Sequence, residues 1–141
     1  MVSKYFVAHE LVDKEVYDLL GDYSINLFDY RLIETIDAIR EILDVPMICN
    51  DWKWGGSMSQ RGFRSNKSTT GSAKSYHKRG MAVDLSSKKM SAKEMRNKLE
   101  ENKDRLPYPI RIEKWDKNGE LNWLHVDLGD TKGETILFFK G

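Results

Sequence analysis

Ten residues constrain this chain more than any others: Ser75-Tyr-His-Lys-Arg-Gly-Met-Ala-Val-Asp84. They hold two potential metal ligands, His77 and Asp84, with six residues between them. That spacing suits a bend from loop into strand, not a helix face. A third ligand is offered downstream by His125, within Trp123-Leu-His-Val-Asp127. An imidazole, a carboxylate and a second imidazole make a three-ligand zinc site with one position open to water. This is the arrangement of a catalytic rather than a structural zinc. A structural zinc is normally closed by four ligands, and the chain has one cysteine and three histidines in total. The helical H-E-x-x-H arrangement is absent.

Alternation along Met81–Ser86 predicts a strand, with Met81, Val83 and Leu85 toward the core and Ala82, Asp84 and Ser86 toward the site. The small Ala82 leaves room beside the metal, Gly80 permits backbone that a side chain would block, and Ser75 fixes the loop carrying His77. Asp116-Lys-Asn-Gly119 predicts a hairpin of Ile110–Trp115 and Glu120–Leu128. In its second strand Leu121, Trp123, His125 and Asp127 share one face, and Asn122, Leu124, Val126 and Leu128 the other.

Ser75, His77, Gly80, Ala82 and Asp84 match the S-x-H-x-x-G-x-A-x-D pattern of the zinc D-Ala-D-Ala carboxypeptidase family, which also contains phage L-alanyl-D-glutamate endolysins. Trp123-Leu-His-Val-Asp127 resembles that family's second ligand motif, and a looser likeness runs from Phe28 to the C-terminus. The resemblance implies an α+β fold of the hedgehog/DD-peptidase kind, a central antiparallel sheet with flanking helices. It implies zinc as cofactor, with His77, Asp84 and His125 as ligands, and peptidoglycan stem peptides as substrate. Family members also carry a substrate-binding arginine 13 to 16 residues before the first histidine ligand. Arg61 and Arg64 both fall in that window, with Arg61 favoured. Several members place an acid three residues before the last histidine ligand, where this chain has Asn122. Asp127 is then the best substitute as general base and Glu120 the second, with orientation of His125 as the other role for Asp127.

The rest of the chain supplies scaffold. Residues 1–27 read as a lead-in with a short helix capped by Asp13, running through Leu20 and stopped by Gly21. Asp29 opens a longer helix with Leu32, Ile33, Ile36, Ile39 and Leu43 on one face, ended by Asp44-Val-Pro46. Pro46–Asp51 suits a short strand. Its Cys49 reads as a small buried apolar residue, with a thiolate ligand as the alternative. His9 reads as a packing or surface residue, with metal ligation again the alternative. Trp52 to Lys74 is a long glycine- and serine-containing loop whose Trp52 and Trp54 line a substrate groove or pack in the core. Ser91-Ala-Lys-Glu94 is a capping box starting a helix to about Leu106, and Thr135–Phe139 makes a final strand.

At 141 residues, with 40% hydrophobic and 32% charged residues, one domain spanning 1–141 is expected. A net charge of +1 gives no global pull toward nucleic acid or a membrane surface. No apolar run is long enough to cross a bilayer, and the N-terminus lacks a signal peptide's apolar stretch. The expectation is a monomer made in the cytoplasm that reaches the cell wall if lysis machinery releases it. Two other functions remain open: a non-catalytic zinc-containing module of a phage particle that binds wall peptide, and a cytoplasmic dipeptidase or carboxypeptidase.

Overall fold

A computed structural model describes residues 1–141. A one-turn helix α1 (Ala8–Leu11) falls in the segment expected to be an extended lead-in. Helix α2 (Lys14–Leu20) starts where Asp13 accepts a hydrogen bond from the Val16 amide, and stops at Gly21. A 3-10 turn over Gly21–Leu27 leads to α3 (Tyr30–Leu43), capped by Asp29. The apolar stripe of α3 is buried as its periodicity predicts. Together with Phe6, Leu11, Val12, Val16 and Ile25 it forms one core with the inner face of the sheet, so residues 1–27 belong to that core. No helix is long and apolar enough to cross a membrane.

The sheet has four strands, β1 (Ala82–Leu85), β2 (Ile110–Asp116), β3 (Gly119–Asp127) and β4 (Ile136–Lys140), in the order β1-β3-β2-β4. The expectation of an antiparallel sheet holds for β1–β3 and β3–β2, but β4 runs parallel to β2, so the sheet is mixed. The physical reason is the short connection after Asp127. Strand β3 ends where β2 begins, and the Ile110 amide donates to the Thr135 carbonyl there. The chain therefore steps across the start of β2 and enters β4 in the same direction. The α+β class stands, with three helices before the sheet and one between β1 and β2.

Two further expectations are corrected. Pro46–Asp51 makes only an isolated bridge, Ile48 to Ser86, because the chain leaves β1's edge at once toward Trp52. Helix α4 (Ala92–Glu101) is capped by Ser91 as its capping box predicts but stops short of Leu106. The Asn102 side chain donates to the Lys98 carbonyl, and a 3-10 turn, Lys103–Arg105, takes over. Behind the sheet, the buried Arg96 of α4 donates to the carbonyls of Leu121 and Trp123 and holds β3 in place.

Val83, Leu85, Ile110, Ile112, Leu124 and Val126 fill the core face of the sheet, as alternation requires. The opposite face carries a row of side chains across all four strands. Asp84 pairs with His125, His125 with Glu113, and Glu113 with Phe139. Over this face lies the loop from Trp52. The Asp84 amide donates to the Arg61 carbonyl, and the Arg64 amide to the His77 carbonyl, so the loop is stitched along the free edge of β1.

Candidate metal centre

His77 sits in a 3-10 turn, Tyr76–Arg79, whose first amides Ser75 caps by accepting from the His77 N–H at 3.2 Å. Gly80 ends the turn in the left-handed region, at φ 65°, against the Leu27 carbonyl, where any side chain would collide. The His77 ring is 3% exposed. Its Nδ1 lies 2.9 Å from the Gly62 carbonyl, which can only accept, so Nδ1 carries the proton and the Nε2 lone pair is free. Nε2 points at Asp84 Oδ1, 3.5 Å away.

From β3, His125 presents Nδ1 to the same Asp84 oxygen at 2.9 Å and Nε2 to Asp127 Oδ2 at 2.9 Å. One donor atom each from His77, Asp84 and His125 fall within 4.8 Å of one another. Ligand atoms about 2.0–2.1 Å from a tetrahedral zinc lie about 3.3 Å apart, so small adjustments of these side chains admit the ion. Each imidazole has its other nitrogen engaged in the outer hydrogen bond that metal-binding histidines need. The donor set therefore fits zinc.

The charges fit as well. Burial pushes the Asp84 carboxyl up, but the hydrogen bond from His125 and the adjacent His77 imidazole outweigh it and hold the group well below the usual carboxylate range. Burial would lower the His125 pKa, yet its hydrogen bonds to Asp127 and Asp84 raise it to about 9. A positive charge is favoured between Asp84 and His125, whether carried by a proton or by a metal ion.

Asp127 is 1% exposed and fully engaged. It accepts from Arg111 Nε and Nη2 at 2.7 and 2.9 Å, from the Gly129 amide at 2.9 Å, and meets His125 Nε2. Burial raises its carboxyl, but the hydrogen bonds from His125 and Arg111 prevail and lower it. Arg111 is itself held between the rings of Phe139 and Tyr76, 4.1 and 5.1 Å from their centroids. Of the two roles expected for Asp127, this geometry gives it orientation of His125 and leaves it no vacant position as a base. Glu120, the second candidate, pairs with Arg96 at 3.0 Å outside the cavity, and Asn122 is exposed beside it.

The two arginines separate clearly. The favoured Arg61 turns its guanidinium to the Cys49 carbonyl and the Ser86 hydroxyl and does not line the cavity. It acts through its backbone, whose carbonyl receives the Asp84 amide. Arg64 is the one at the site, with Nε donating to the Gln60 carbonyl at 2.7 Å and Nη2 3.7 Å from Asp84 Oδ2. The donors and Arg64 line a cavity of about 270 Å³ with Trp123, Arg111, Glu113 and Phe139 among its walls.

Cys49 is wholly buried in the core, where burial pushes its thiol up, and it stands outside the His77, Asp84 and His125 donor group. His9, Trp52 and Trp54 gather with Tyr17 away from the donors, and Trp52 Nε1 donates to the Val12 carbonyl. Glu113 is the cavity residue that sequence reasoning missed. Alternation along β2 buries Ile110 and Ile112 in the core and turns Glu113, with Arg111, to the site face. Past a register shift between Glu113 and Trp115, Glu113 pairs with His125. Comparison of the chain with protein-family models, curated proteins and solved structures returned no match.

Proposed function

We propose that this chain is a zinc peptidase that hydrolyses peptide bonds of bacterial peptidoglycan stem peptides, with the hedgehog/DD-peptidase fold and a phage or prophage setting. The observation that carries the reading is the convergence of His77 Nε2, Asp84 Oδ1 and His125 Nδ1 at one cavity, each imidazole fixed by an outer partner. The substrate class follows from the resemblance of the two ligand motifs to wall-cutting peptidases. When bound by these three residues, zinc supplies Lewis-acid polarisation of the scissile carbonyl and a water acidified toward a pKa of ~7.

The chain's own residues do the rest. Arg64 is a fixed cation on the cavity wall, suited to a substrate carboxylate or to the charge developing on the carbonyl oxygen. Asp127, clamped by Arg111, holds His125 in the tautomer that leaves Nδ1 for the ion. Trp123, Tyr76 and Phe139 add aromatic surface to the cavity walls.

The full engagement of Asp127 and the amide at Asn122 favour one second reading, a zinc-containing module that binds wall peptide without cutting it. Mass spectrometry of muropeptides separates the two. Purified peptidoglycan incubated with zinc-loaded protein should release new fragments, absent with His77→Ala. Zinc bound at one per chain with no fragments would establish the binding module instead.

A further inference from the structure

Three carboxylates line the cavity: Asp84, Asp127 and Glu113. Asp84 is turned to both histidines, and Asp127 is saturated by Arg111, Gly129 and His125. Glu113 alone has no hydrogen bond or ion pair to another group. It is half-buried on β2, directly across from His125 and on the same face. A half-buried carboxylate with no protein partner is partly desolvated and free to accept a hydrogen bond from whatever enters the cavity. Alternation along β2, whose Ile110 and Ile112 are buried in the core, turns it to that face.

We infer that Glu113 is the general base of this site, an assignment that rests on the peptidase reading above. It replaces the acid that Asn122 lacks, supplied from the neighbouring strand. The carboxylate takes one proton from the attacking water as the water oxygen bonds to the scissile carbonyl carbon, and the carbonyl π pair moves to its oxygen. On collapse, that pair re-forms the C=O bond and the C–N bond breaks with its electrons on nitrogen. Nitrogen takes the proton back from Glu113. One water is consumed, one acid and one amine are released, and Glu113 ends as it began.

The test is Glu113→Gln, which keeps size and shape, studied with the wild type as full chains. Zinc affinity, read by competition with a chromophoric chelator, should stay within about threefold of wild type. On peptidoglycan fragments kcat should fall about 10²–10⁴-fold with KM little changed. Crystals of the zinc-loaded wild type should show a solvent oxygen about 2.6–3.2 Å from a Glu113 carboxylate oxygen and beside the three donors. Loss of zinc affinity, Glu113 itself bound to the ion, or a raised KM with kcat intact would each overturn the assignment. A wild type that cuts while Glu113→Gln cuts equally well overturns the assignment alone. A wild type that binds zinc and cuts nothing overturns the peptidase reading and the assignment with it.

Discussion

Histidine occurs in two regions of this molecule, and the surroundings make the two regions different in kind. His9 is ringed by Trp54, Tyr17 and Trp52, edge-on, with centroids 5.3, 5.9 and 6.3 Å away. Its Nδ1 is buried with no partner. At the other region, His77 and His125 each anchor one nitrogen on a fixed acceptor and turn the other to a shared carboxylate oxygen. An imidazole among aromatic edges is packing material, whereas two imidazoles with fixed outer partners and a common anion form a cation site. Residue type is the same in both places, and the outer hydrogen bond is what distinguishes them.

The largest effect expected breaks the cation site directly. His77→Ala or His125→Ala removes one of three ligands and should lower zinc affinity on the order of 10³-fold or more, well beyond the ~10–100-fold typical of an outer partner. Chelator competition reads this. His9→Ala should leave zinc affinity within about twofold. Equal losses at all three histidines would erase the distinction between the regions.

The outer partner comes next. Asp127→Asn keeps the shape but spoils the acceptor that His125 and Arg111 share, and should cost about 10–100-fold in zinc affinity. Glu120→Gln, paired only with Arg96, should leave zinc affinity unchanged. If Asp127→Asn bound zinc normally and lost only turnover, Asp127 would be the base and Glu113 would not.

A smaller effect follows from the charge on His125. With a metal-free pKa of about 9, this ring holds a proton at neutral pH that an incoming ion must displace. Zinc affinity should therefore rise with pH, by up to about tenfold per unit, and level off once the pH passes the pKa. Calorimetry in buffers of different ionisation enthalpy would count the released proton. A flat profile across neutral pH would show that His125 is already neutral in the metal-free protein.

How much of this could be read from the residues alone depends on how local each feature is. The capping of α2, α3 and α4 by Asp13, Asp29 and Ser91 is encoded within four residues. The ligand motifs are nearly as local, because strand alternation alone turns Asp84 and His125 to the same face. What was not legible is what depends on register and crossing. The slip between Glu113 and Trp115 decides that Glu113 stands across from His125, and no turn residue announces it. The parallel entry of β4 depends on which strand edge remains open after β1 has taken the far edge of β3. Arg61 and Arg64 stand three residues apart in a loop without periodicity. Only its stitching to β1 and to His77 decides which guanidinium reaches the cavity.

The smallest effect sharpens the other side of the comparison. His9→Phe keeps an aromatic ring among Tyr17, Trp52 and Trp54 and removes a buried nitrogen that has no partner. Edge-to-face pairs contribute about 0.5–1.5 kcal/mol each beyond their buried area, and an unsatisfied buried polar atom costs about 1–3 kcal/mol. His9→Phe should therefore match or slightly exceed wild-type stability in urea unfolding, while His9→Ala should lose about 1–2 kcal/mol, the contacts without the ring. Zinc affinity should be the same in all three proteins. A phenylalanine that destabilised the fold as much as alanine would mean that His9 uses its nitrogens after all, and the division between a packing histidine and two binding histidines would have to be redrawn.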